Sequence, residues 1–128
     1  MKEVTVPGLS HERTWVVEPD MGIRHFGAGV PSVLSSPTMI ALMERTCVDL
    51  LNPYMSEGEQ TVGFHVDVKH LTPTRIGQSI TVRARLEEVK EERFRFSVEA
   101  SNDGGVKIGS GIHRRALIRM KEFTSGKQ

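Results

Sequence analysis

The run Ser36–Pro53, SPTMIALMERTCVDLLNP, followed by Thr61–His70, TVGFHVDVKH, decides the fold. Ser36 before Pro37 reads as a helix start: a serine hydroxyl can cap the free N–H groups of a first turn, and proline there gives up no bond it would have made. Pro53 stops the helix, which the pattern carries to about Asn52. Beyond it the apolar period falls from 3.6 to 2, with Val62, Phe64, Val66 and Val68 alternating with Gly63, His65, Asp67 and Lys69. The alternation returns at Ile80, Val82, Ala84 and Leu86, and again at Phe94, Phe96, Val98 and Ala100. Asn102-Asp103-Gly104-Gly105 supplies a hairpin turn into a last strand from Val106 to about Met120. Upstream, a strand over Thr14–Glu18 ends in turn chemistry at Pro19-Asp20-Met21-Gly22, and GIRHFGAGVPSVLS (22–35) reads as a loop. Strand, loop, helix and four antiparallel strands define an α+β fold, one long helix packed across a curled antiparallel sheet. Such a sheet has free edges to protect, which predicts dimerisation through an edge strand.

The bulk numbers narrow the function classes. A chain of 128 residues, 38% hydrophobic and 26% charged, fits a single domain spanning 1–128. Seventeen Lys and Arg against sixteen Asp and Glu leave no field that would draw nucleic acid or an anionic membrane. A single cysteine excludes an internal disulfide and suits a reducing compartment. The start, MKEVTVPGLSHERT, has no signal-peptide apolar run, and no stretch approaches about 18 apolar residues. The expectation is a soluble, cytoplasmic protein. His65 and His113 lack cysteine or carboxylate partners at ligand spacing, so no metal is predicted, and Cys47 reads as an inert core residue.

Two polar residues, Glu44 and His70, stand where regular patterning would not put them, and Ser36 at the helix start is a third candidate. With Ile40 at zero and about 100° per residue, Met43, Cys47 and Leu51 fall within roughly 60° of it and Glu44 about 40° away. A carboxylate in that arc either bends out to water, ties down a loop, or serves chemistry, since burying it unpaired is costly. His70 projects from the same face as Val66 and Val68 if the strand continues unbroken, whereas a bulge before Leu71 would turn it outward. Beside Glu44 its imidazole would form an acid/base pair able to exchange a proton near neutrality. Ser36 is either the helix cap alone or a hydroxyl held at a helix N-terminus, where negative charge is stabilised.

The segment LMERTCVDLLNPYMSEGEQTVGFHVDVKHLTPT (42–74) resembles the hot-dog-fold thioesterases, specifically the fluoroacetyl-CoA thioesterase-like group, and IGSGIHRRALI (108–118) is similar to that group's final strand. The resemblance runs from about residue 12 to 123. It implies hydrolysis of an acyl-CoA thioester, with coenzyme A as part of the substrate and no separate cofactor, in a homodimer whose interface forms the active sites. It implies Ser36, Glu44 and His70 as the catalytic set, with Gly63, Arg115 and Val30 lining the acyl site. Glu44 would attack the thioester carbonyl or orient a water, His70 would shuttle the proton for the departing thiolate, and Ser36 would hydrogen-bond Glu44 or the carbonyl. Arg115 either organises the pocket floor, contacts a polar acyl group, or is a solvated strand residue. Arg83, Arg85, Arg114 and Lys69 either hold coenzyme A phosphates or occupy solvated faces.

This chain departs from the specialised fluoroacetyl enzyme in two ways. It has serine in place of threonine at 36, and Gly27 and Val30 in place of bulky aromatic residues in the preceding loop, an opening that argues against strict selection of a fluorinated acyl group. Two competing readings remain. A hot-dog dehydratase would pair a loop histidine with the helix glutamate, but His25 lies 44 − 25 = 19 positions before Glu44 and no Pro-Gly follows Phe26. A non-catalytic acyl-CoA-binding protein would use the same pocket and dimer.

Overall fold

The computed structural model describes residues 1, 8–23, 25, 27 and 29–124, with residue 123 by its backbone alone; Phe26 lies outside the described residues. A strand β1 (Ser10–Val16) precedes the helix α1 (Ser36–Leu51), and four strands follow: β2 (Glu59–His70), β3 (Ser79–Lys90), β4 (Arg93–Asn102) and β5 (Lys107–Arg119), ending in a short α2 (Met120–Thr124). They form one antiparallel sheet in the order β1-β3-β4-β5-β2. The first strand begins earlier than the sequence reading of Thr14–Glu18, because His11, Arg13 and Trp15 pair in register with Ala84, Val82 and Ile80. Pro19–Met21 form a single 3-10 turn after it.

The core lies where α1 crosses the sheet. Met39, Met43, Cys47, Leu50 and Leu51 pack toward the inner residues Ile80, Val82, Ala84 and Leu86 of β3 and Phe94, Phe96, Val98 and Ala100 of β4. Each large side chain so buried contributes about 1.5–3 kcal/mol of transfer free energy. The buried stripe is rotated from the one expected. It centres near Met43 and includes Met39, Thr46 and Leu50, while Ile40 is only half-buried. Glu44 therefore flanks the stripe, roughly 100° from its centre, rather than sitting inside it.

Strand β2 departs from simple alternation. Gly63 pairs with Arg115 and His65 with Arg114, so Phe64 is an extra residue bulged out of the ladder. Every residue after it exchanges faces relative to an unbroken count. Thr61 and Gly63 share the helix-facing side with Val66, Val68 and His70, whereas Val62 does not. The expectation that Val62 and Phe64 join the buried stripe fails for this reason. Strand β2 is also an edge of the sheet, and Val62, Phe64 and Val66 are 43%, 50% and 42% exposed in the single chain.

Candidate functional site

The N-terminus of α1 is capped by Ser35, not Ser36. Ser35 Oγ accepts the Thr38 N–H at 3.2 Å and also bonds Thr38 Oγ1 at 2.8 Å. This leaves the Ser36 hydroxyl free of capping, and its Oγ lies 2.8 Å from His70 Nδ1. His70 ends β2 on the helix-facing side, opposite Gly109, a position where a Cβ would run into Met39. With the hydroxyl donating to Nδ1, the imidazole carries its hydrogen on Nε2, which is buried and lacks a close hydrogen-bond partner among the described residues. Burial pushes the His70 pKa below its ordinary 6.5, and the Thr72 backbone partly opposes this. A cleft of about 250 Å³ opens over the pair between the loop residues Ile23, Val33 and Leu34 and the strand exit at Leu71, Thr72 and Pro73. Val30 stands half-exposed on the same loop.

A second group forms further along α1. Arg115, 6% exposed, is pinned by Thr61: its Nε donates to Thr61 Oγ1 at 2.9 Å and its NH2 to the Thr61 carbonyl at 2.8 Å. Its NH1 then donates to Glu44 Oε2 at 3.3 Å. Of its sequence readings, the solvated strand residue is excluded by this burial. Desolvation lowers the Arg115 pKa, with Glu44 pulling it back up, and a guanidinium stays charged throughout the physiological range. Gly63 faces this group from β2. A Cβ there would stand 2.8 Å from Glu44 Oε2, 2.8 Å from His113 Cε1 and 3.2 Å from Arg115 NH1. Glycine leaves room here for Glu44 and His113, which occupy the space a side chain would take. Cys47 lies on the same helix, and burial pushes its thiol up to about 12, so it carries no thiolate.

The structure thus brings Ser36 to His70, and Glu44 to Gly63 and Arg115, but does not join Glu44 to His70. Among the described residues the polar partners of Glu44 are Arg115 and, at 3.7 Å, His113. Eight residues of helix separate Ser36 from Glu44, roughly 12 Å of rise. Two residues that sequence reasoning passed over belong to the site. His113 is 1% exposed, with Nδ1 2.9 Å from the His65 carbonyl and Nε2 3.2 Å from Arg115 NH1. Thr61 is the clamp on Arg115. The signal for His113 was its two-residue offset from Arg115, which puts both on one strand face opposite Gly63. Of the candidate phosphate ligands, Arg83 is tied to Glu12 and Arg85 to Glu87, while Arg114 lines a separate outer-face groove with Phe64, Arg93 and Arg95.

One long helix lying on an open five-stranded antiparallel sheet is the hot-dog fold, the fold of a large class of thioesterases. The protein family described as fluoroacetyl-CoA-specific thioesterase matches residues 17–121, and the chain belongs to that family. It is 34% identical to the fluoroacetyl-CoA thioesterase of Streptantibioticus cattleyicolor, over 98% of this chain and 94% of that protein. A solved structure of the fluoroacetyl-CoA thioesterase FlK superposes with a TM-score of 0.87 at 33% identity, covering 97% of this chain and 96% of the other. A thioesterase superfamily member from Thermus thermophilus superposes with a TM-score of 0.88 at 27% identity, covering 98% and 91%. The chain is accordingly a thioester hydrolase.

Proposed function

We propose that the protein hydrolyses acyl-CoA thioesters to a carboxylate and free coenzyme A, without a further cofactor, as a cytoplasmic homodimer whose Ser36, Glu44 and His70 act together across the subunit interface. The observation that carries this reading is the Ser36–His70 hydrogen bond at the mouth of the cleft, made by a hydroxyl that capping does not need. Glu44 supplies a carboxylate beside the backbone of Gly63, either as nucleophile at the thioester carbonyl or as the base that activates water. The thiolate leaves with a proton relayed by His70.

Within one chain the Ser36–His70 pair and the Glu44 group are separate, and a second copy can unite them. An antiparallel two-fold pairing of β2 with its symmetry mate, centred near Val66, would set His70 of one copy beside Thr61 and Gly63 of the other. It would also cover Val62, Phe64 and Val66 on the exposed edge. The acyl range we propose is broader than fluoroacetyl, because Gly27 and Val30 leave the loop before the helix open. The test is thiol release from short, branched, aromatic and fluorinated acyl-CoAs. Glu44→Ala and His70→Ala should each lose most of kcat while remaining folded. Mixed and refolded together, the two variants should recover about a quarter of wild-type activity, since half the dimers are mixed and each holds one intact composite site. Binding without turnover for every acyl-CoA overturns the enzymatic reading, and no recovery on mixing overturns the shared site.

A further inference from the structure

Arg115 presents five N–H donors in one rigid plane, and four of them meet partners among the described residues. Nε and NH2 are spent on Thr61, and NH1 faces Glu44 Oε2 at 3.3 Å and His113 Nε2 at 3.2 Å. A guanidinium nitrogen only donates, so His113 Nε2 must accept, and the ring hydrogen must lie on Nδ1, where the His65 carbonyl receives it at 2.9 Å. The imidazole is therefore neutral and in one tautomer. It is also enclosed, being 1% exposed and stacked on Phe96 with ring centroids 6.4 Å apart. Glu44 is the opposite case, a flexible side chain 38% exposed whose tip is held by Arg115 NH1. Thr61 fixes only one edge of the guanidinium, about which its plane can tilt.

We propose that His113 is a positioning residue for Glu44, acting through Arg115. Its Nε2 lone pair takes one NH1 hydrogen, stops the guanidinium tilting about the Thr61 edge, and keeps the other NH1 hydrogen on the Glu44 carboxylate. The inference rests on the proposed role of Glu44 as the reacting carboxylate. Among the described residues, the charged and titratable groups facing His113 are Glu44 from α1, His65 from β2 and Arg115 from its own strand. Protonation of Nε2 would turn the acceptor into a donor, expel Arg115 NH1 and offer Glu44 a rival partner at 3.7 Å. Burial opposes that protonation, so the neutral form holds at pH 7.

Two substitutions separate positioning from packing. In His113→Gln the amide oxygen reaches the Nε2 position and still accepts from Arg115; in His113→Asn the amide nitrogen reaches the Nδ1 position and still donates to His65. Thiol-release kinetics should show kcat falling about tenfold or more in His113→Asn with KM within about threefold, and His113→Gln retaining kcat within about threefold of wild type. A folded His113→Asn with wild-type kcat, or losses in both variants that simply track their melting temperatures, overturns the proposal. Should neither variant fold, imidazole ¹⁵N spectra of the wild-type protein decide. The expected pattern at pH 7 is protonated Nδ1 and bare Nε2, and the Nε2–H tautomer or an imidazolium refutes it. Glu44→Gln keeps the two ideas apart: full activity there sinks the role of Glu44, whereas an inactive Glu44→Gln beside a fully active His113→Asn sinks only that of His113.

Discussion

Gly63→Ala is the sharpest probe of the proposed site, because it adds one methyl where three side-chain atoms converge. The backbone at Gly63 is extended, so alanine meets no conformational penalty, and the loss of unfolded-chain freedom alone would stabilise by about 0.4–1 kcal/mol. The cost is steric. Ordinary van der Waals contact begins near 3.4 Å, and the new Cβ stands 2.8 Å from both Glu44 Oε2 and His113 Cε1, so each must retreat by about 3.4 − 2.8 = 0.6 Å. His113 cannot move without breaking its bond to the His65 carbonyl, and Arg115 is held by Thr61. The larger displacement therefore falls on Glu44, which must leave its 3.3 Å contact with Arg115, while a small shift of the Gly63 backbone relieves the contact with His113. Strain of this kind costs about 1–3 kcal/mol in a packed core, and less where a half-exposed tip can swing away, so net stability should change by about 1 kcal/mol or less. A reacting group misplaced by that order of distance costs catalysis up to about 100-fold. We expect kcat for acyl-CoA hydrolysis to fall about 10- to 100-fold while the melting temperature moves only a few degrees. A folded Gly63→Ala protein with kcat within twofold of wild type would refute the placement of Glu44 beneath Gly63.

The cap assignment predicts opposite outcomes for neighbouring serines. Ser35→Ala should lower stability by about 1 kcal/mol, a shift of roughly 3–5 °C in Tm, and leave the Ser36–His70 pair intact. Ser36→Ala should leave Tm nearly unchanged and reduce kcat; the reverse pattern in thermal melts and kinetics would return the cap to Ser36. Stability should also fall on mild acidification. His70 and His113 are both held below their ordinary 6.5 by burial, so the unfolded chain binds protons that the folded chain refuses. Their contribution is fully present above about pH 6.5 and is lost as pH drops from there toward 5, above the carboxylate range, so Tm measured at pH 7 should exceed that at pH 5. A flat Tm over that window would mean that both histidines protonate freely in the folded protein.

How much was legible in the sequence differs by element. Strands β3 and β4 carry unbroken alternation, and all eight of their predicted inward residues are buried. The turn joining them was less readable, since Glu91 and Glu92 both adopt positive φ, 52° and 62°, without a glycine to announce it. Glu92 is held there by a salt bridge to Arg119, a contact that local propensity does not encode. The helix was placed to within a residue at its C-terminal end, but its rotation was misjudged. Ile40, Met43, Cys47 and Leu51 form an apolar stripe on a wheel, yet Thr46 is buried too because its hydroxyl bonds back to the Leu42 carbonyl. At the cap, Ser35 and Ser36 were equivalent candidates by type, and only the backbone geometry decides which oxygen meets the Thr38 amide. Glu44 and His70 stood out as exceptions to patterning, and Ser36 by its place at the helix start. His113 did not, because a histidine between strand residues breaks no rule until its neighbour across the sheet is known.

The bulge at Phe64 connects these points. A bulge gives up a ladder hydrogen bond and bends its strand, which is unfavourable unless the altered face has a use. In β2 the extra residue lets Gly63 and Val66 both look toward the helix, three positions apart. An unbroken strand carrying Gly63 inward would have turned Val66, Val68 and His70 outward, losing the histidine from the cleft. One that kept His70 inward would have set Val62 and Phe64 against α1 and displaced Glu44 from β2. Neither regular strand can present a bare backbone to Glu44 and an imidazole to Ser36 at once. The irregularity is what allows a single strand to serve both halves of the proposed site. It also sends the Phe64 ring to the outer face, beneath the Arg93 guanidinium 5.2 Å away. The same insertion that arms the inner face therefore leaves an apolar edge, the feature on which the proposed pairing with a second copy depends.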